Sequence, residues 1–161
     1  MSDLLHQPGF LGTPANFGAD MTLAAMVLFA ILLTIGVILA VKGKYGTHRW
    51  MQTTAVALNI IIVLWLMLLP YRDFIAPGIP QDLNQPFYWI TTLHAFVGFF
   101  AFFLGIFIVL RANGLMIKQL KFSDYKRWMR LSYALYMITV LLGLAVYYVW
   151  FIGNPNPPVY G

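Results

Sequence analysis

His48-Arg49-Trp50-Met51 opens an apolar run that reaches Leu69, and Lys126-Arg127-Trp128-Met129 opens another that reaches Ile152. Arg-Trp-Met thus occurs twice, each time after a short basic segment and each time ahead of a stretch with almost no charge. The preceding residue differs: histidine in the first copy, lysine in the second. Working outward, Lys42-Gly43-Lys44-Tyr45-Gly46-Thr47 is a tight basic turn before the first copy, and Met21–Val41 before it is apolar throughout. About 20 such residues are the length of a helix that crosses a bilayer core. A third apolar run, 87–110, precedes the basic segment 111–122 that leads to the second copy.

Backbone polar groups in lipid must be satisfied within the segment, so runs of this kind read as spanning helices and not as buried strands. The sequence therefore predicts an all-α, four-helix transmembrane bundle in one membrane domain, residues 1–161, with helices at about 21–41, 48–69, 87–110 and 124–152. Pro70 is expected to stop the second helix, leaving Tyr71–Gln85 as a loop. Asp20 is expected to cap the first helix, and Ser123 with Asp124 the fourth. The lead Met1–Asp20 has no Lys or Arg and no long apolar core, so it does not read as a secretory signal. The Pro-rich tail 153–161 reads as extended.

Composition agrees with this architecture. The chain is 61% hydrophobic and 9% charged, with no glutamate and no cysteine, whereas soluble domains average about 25% charged residues. Nine of the ten Lys/Arg fall at the connections between helices one and two and between helices three and four; Arg72 is the exception. By the positive-inside rule those connections face the cytoplasm and both termini face outward. The expected location is a bacterial inner membrane. The net charge of +5 is then explained by topology and anionic inner-leaflet lipid, and nucleic acid is not an expected partner. Trp50 and Trp128, with Arg49 and Arg127, read as anchors at the inner interface. Tyr88, Trp89, Tyr147, Tyr148 and Trp150 form an outer aromatic belt. The matched Arg-Trp-Met copies fit two hairpins related by a parallel pseudo-repeat; convergence on an interfacial anchor is the rival explanation.

Few residues could carry chemistry. His48, Gln52, Ala55 and Asn59 recur at separations that return to one helix face. This polar stripe runs from the inner interface toward mid-membrane. One reading is interhelical hydrogen bonding; the other is a site for a ligand or proton entering from inside. His94 lies about two turns into the third helix, on a face shared with Gly98, Ala101 and Gly105. Small residues let a neighbouring helix approach. They also leave room for a flat macrocycle beside an imidazole, a common haem-iron ligand. His48 and His94 cannot share one iron, because about sixteen residues of helical rise, roughly 24 Å, separate their levels. A haem at His94 would need a second ligand, such as Met67 or a residue of the outer loops like His6, or would be five-coordinate. With no glutamate, no cysteine, no Ser/His/Asp arrangement and no phosphate-cradling loop, no catalytic residue and no metal site is expected. The eight methionines are scattered without a ligand spacing and read as packing.

Gly9-Phe10-Leu11-Gly12-Thr13 followed by an aspartate at the first helix resembles the domain-of-unknown-function 420 family. So do His48-Arg49 opening the second helix, Leu93-His94 in the third, and a fourth helix with a basic start that ends in Gly143 and Tyr147-Tyr148. The resemblance covers most of the chain. It implies a small four-helix bacterial membrane protein of a kind in which some members assist assembly of haem–copper terminal oxidases. The family pattern has histidines at the starts of helices two and four and within helix three; here the helix-four position is Lys126. That departure points to a structural role. The expected function is a non-catalytic membrane subunit or assembly factor of a respiratory or other electron-transfer complex, in contact with lipid and a larger membrane protein complex and without a cofactor. The alternative is a b-type cytochrome with haem b at His94, passing electrons between quinone and an outer acceptor.

Overall fold

A computed structural model describes residues 5–117 and 124–157. Four helices are long and apolar enough to cross a membrane, and among the described residues there is no strand. They are α1 (Phe17–Val41), α2 (Tyr45–Ile62), α3 (Pro86–Ala112) and α4 (Tyr125–Tyr147). The all-α four-helix bundle read from the sequence is the fold observed.

Packing is most extensive within the hairpins α1–α2 and α3–α4, and α1–α4 and α2–α3 contacts close the ring. Phe29 and Leu33 of α1, Ala55 of α2, Ala101 of α3 and Tyr136 of α4 form a core that draws on all four helices. A second cluster, built on Ala15, Ile75, Trp150 and Phe151, fills the end that carries both termini. Trp150 Nε1 there donates to Thr91 Oγ1 at 2.8 Å. At the opposite, basic end, Asn113 Nδ2 donates to Thr53 Oγ1 at 2.9 Å, joining the hairpins.

Both odd-numbered helices end alike. After α1, Gly43 takes φ +73°, its N–H reaches Ala40 O, and the Lys44 N–H reaches Leu39 O. After α3, Gly114 takes φ +73°, its N–H reaches Arg111 O, and the Leu115 N–H reaches Leu110 O. This paired pattern satisfies carbonyls that a helix end leaves open, and it needs a left-handed residue that glycine adopts without steric cost. The chain can then reverse into the next helix at the same membrane face.

Two boundaries differ from expectation. α1 begins four residues before Met21, because Asn16 and not Asp20 is the cap: Asn16 Oδ1 accepts the Ala19 N–H at 2.8 Å. Gly18 and Asp20 interrupt the apolar pattern and hide this first turn. Pro70 does not stop the second helix, which continues to Gly78. A wide turn over Val63–Met67 precedes the proline and another over Tyr71–Ile75 follows it. Wide turns relieve the clash of the pyrrolidine ring with the preceding turn and absorb its missing N–H. Much of the expected loop 71–85 is therefore helical. At α4, Asp124 occupies the cap position but makes no side-chain cap bond, and Ser123 lies outside the described residues.

Gly43→Ala and Gly114→Ala each force a Cβ into the left-handed region, at a cost of about 1–2 kcal/mol. Denaturation of the purified protein by SDS titration should show each variant less stable by that amount, while Gly46→Ala, inside α2 with open space at its Cα, should not.

Candidate functional site

The polar stripe of α2 faces the bundle, and its first two members reach the backbone of α1. The ring of His48 lies 2.7 Å, through Nδ1, from Gly36 O. A carbonyl can only accept, so Nδ1 carries the proton. Gln52 Nε2 donates to Leu33 O at 3.1 Å. Gly36 makes this possible: a methyl group there would collide with the Gln52 amide. Ala55 is fully buried one turn further on. Asn59, the last member, is the polar neighbour of the Tyr136 hydroxyl, which is buried without a hydrogen bond of good geometry. The interhelical reading thus accounts for His48 and Gln52 directly.

His94 donates through Nδ1 to Thr139 O of α4 at 3.0 Å. Its ring edge lies beside Gly143 of α4, which α1 also approaches. A methyl group on Gly143 would collide with the Met26 sulfur and stand 3.1 Å from His94 Cε1. Three helices therefore converge where Gly143 has no side chain, and the thioether beside His94 is Met26, which is buried. The sequence points to Met67 or an outer-loop residue such as His6 as the second ligand; Met26 carries no signal there because no periodicity links α1 to α3.

The small residues on the His94 face are filled from α4. A methyl on Gly98 would touch Thr139 Cγ2 at 3.4 Å, and one on Gly105 would strike the Tyr136 ring and hydroxyl. Ala101 is fully buried in the central core. A macrocycle beside His94 would have to displace Thr139, whose methyl stands at Gly98 and whose carbonyl holds the imidazole, so the residues present do not fit haem there. Among the described residues no three His or Asp side chains gather as a metal site.

Asp20 is fully buried at the terminal end. Its Oδ2 accepts the Leu11 N–H at 2.7 Å, and its Oδ1 accepts the Tyr147 hydroxyl at 2.5 Å. Thr13 Oγ1 lies 2.6 Å from the same tyrosine oxygen, and Gly9 packs so closely on the carboxyl that a methyl group would overlap it. No salt bridge reaches Asp20 among the described residues; the ion pair observed is the exposed Arg72–Asp73 contact at 2.6 Å. Asp20 accordingly clamps the lead to α1 and α4. The sequence held a partial signal: Gly9–Thr13, the aspartate and Tyr147 are three of the segments on which the family resemblance rests.

The anchors separate in character. Trp50 is 63% exposed, with the Arg49 guanidinium 5.9 Å from its ring centroid. Trp128 is 41% exposed and turns toward α3. Lys126 and Arg127 are exposed beside it. In comparisons with known proteins, no family model, curated protein or solved structure matches the chain.

Tyr147→Phe removes one donor from a buried carboxyl, a loss of about 1–3 kcal/mol for a buried acceptor left without its partner. SDS titration should show that loss, while Tyr148→Phe, at an exposed ring, should leave stability unchanged.

Proposed function

We propose that the chain is a non-catalytic integral subunit or assembly factor of a respiratory or other electron-transfer complex, set in a bacterial inner membrane with both termini outside. The observation that carries this reading is the use made of the polar side chains within the bundle. His48, Gln52 and His94 each spend a donor on a backbone carbonyl of a neighbouring helix, which is the chemistry of helix association. The work left to the molecule lies on its outer surface. There α3 presents Phe96, Phe99, Phe100 and Phe103, all about half exposed. Such a row packs against lipid or against the helices of a larger membrane partner. The resemblance to the domain-of-unknown-function 420 family supports the respiratory setting, and Lys126 in place of a helix-four histidine supports a structural role.

The cytochrome reading requires room beside His94 that Thr139 takes, and the first reading is preferred on that ground. Purification of the tagged chain from native membranes in mild detergent should bring down a multi-subunit redox complex. The isolated chain should give no haem bands in a reduced-minus-oxidised absorption spectrum. A chain that migrates alone and shows a b-type band would overturn the proposal in favour of the cytochrome.

Orientation has its own test, because the chain contains no cysteine. A membrane-impermeant maleimide added to intact cells should label Gln81→Cys and should label Lys44→Cys only after lysis. The reverse pattern would invert the topology.

A further inference from the structure

The lead closes into a loop ahead of α1. The Phe17 N–H donates to Gln7 O at 2.7 Å, and the Gly9 N–H donates to Ala15 O at 2.9 Å. The Leu11 N–H turns inward to the Asp20 carboxyl, Gly12 takes φ +72°, and Thr13 Oγ1 lies 2.6 Å from the Tyr147 hydroxyl. The loop is therefore preformed. What it turns outward is apolar: Phe10 and Leu11 are each about half exposed. No residue from 7 to 17 carries an ionisable side chain.

The direction of the tip follows from its neighbour. Phe10 packs edge-on against Phe17, with ring centroids 5.7 Å apart. Phe17 opens α1, and Met21, Leu28 and Ile35 follow it at separations that return to the same helix face. All three are exposed, while Phe29 and Leu33 on the other side enter the core. In a spanning helix the exposed apolar face is the one toward lipid, so Phe10 stands over the lipid-facing stripe of α1. Depth follows from length. α1 has 25 residues, or about 37 Å of helix at about 1.5 Å per residue, against a hydrocarbon core about 30 Å thick. With Lys42 at the opposite boundary, the excess of about 7 Å carries Phe17 into the headgroup layer.

We propose that the Phe10–Leu11 tip is an interfacial anchor, inserted among the lipid headgroups of the leaflet on the side of the termini. The proposal rests on the four spans, and not on which side of the membrane the termini occupy or on a partner complex. An apolar side chain gains by entering that layer, whereas a peptide N–H loses unless it is bonded. This loop offers the side chains and bonds the N–H groups of Gly9, Leu11 and Phe17 within the protein. Being ordered already, it spends little entropy on insertion. It also supplies what α1 lacks. The terminal ends of α3 and α4 carry Tyr88-Trp89 and Tyr147-Tyr148 as interfacial aromatics, but α1 contains no Tyr, Trp, Lys or Arg. With no charge of its own, the tip should accept neutral and anionic lipid alike.

Because the chain has no cysteine, single cysteines carrying a nitroxide test this in the full-length protein. Phe10→Cys, Leu11→Cys, Leu28→Cys and Gln81→Cys are placed in phosphatidylcholine liposomes. Collision of each label with oxygen, which concentrates in hydrocarbon, is compared with collision with a water-soluble nickel chelate. Oxygen should dominate at Phe10→Cys and Leu11→Cys, less strongly than at Leu28→Cys, and nickel should dominate at Gln81→Cys. Adding phosphatidylglycerol should leave this order unchanged. Phe10→Ser combined with Leu11→Cys should shift the label toward nickel; an unchanged value would make the label itself the inserted group and overturn the anchor. Nickel dominance at Phe10→Cys or Leu11→Cys, with oxygen still dominant at Leu28→Cys, would overturn it too and leave the tip to a protein partner. Nickel dominance at Leu28→Cys as well would overturn the four spans along with it. Insertion that requires phosphatidylglycerol would overturn the uncharged contact.

Discussion

In the hydrocarbon of a membrane, an amide or imidazole N–H that finds no acceptor costs several kcal/mol. Helices use up almost all their own carbonyls, so a side-chain donor must find one that a neighbouring helix can share. His48 and Gln52 find two on α1, and His94 finds one on α4. Each bond requires close approach, and each approach has its glycine: Gly36 opposite Gln52, and Gly143 opposite His94 and Met26. The donors and the glycines are halves of one requirement. Together they fix which face of α2 meets α1 and which face of α3 meets α4, a choice that uniformly apolar surfaces leave open.

The same constraint accounts for what the sequence disclosed and what it withheld. Length, apolar runs and Lys/Arg placement disclose four spans, because those quantities belong to each helix separately. The stripe His48, Gln52, Asn59 was legible for the same reason: a period within one helix names the face that turns inward. Pairings between helices follow no period. Nothing in α1 marks Met26 as the neighbour of His94, and nothing in α4 marks Tyr136 as the ring that fills the notch at Gly105. Pro70 misled for a related reason. Proline is a local stop signal, but wide turns on both sides carry the helix past it to Gly78.

Asp20 shows how a local rule can point to the right residue with the wrong role. A carboxylate before an apolar run is a plausible cap. Here the cap is Asn16, one turn earlier, and the carboxyl is turned inward to receive the Leu11 N–H and the Tyr147 hydroxyl. A cap tethers one helix to its own first turn. The observed arrangement ties the lead, α1 and α4 to one another, so the terminal end is closed by polar bonds in addition to the apolar cluster around Ile75 and Trp150. The segments that look most like punctuation in the sequence are the ones that close the ring of helices.

The two Arg-Trp-Met copies begin from one spelling and one membrane depth, and they end in different uses. What separates them is the partner each tryptophan has available. In α2 the residues facing α1 are already committed to hydrogen bonds, and Trp50 stays outward under Arg49. In α4 the facing helix offers a wall of phenylalanines, and Trp128 turns toward it.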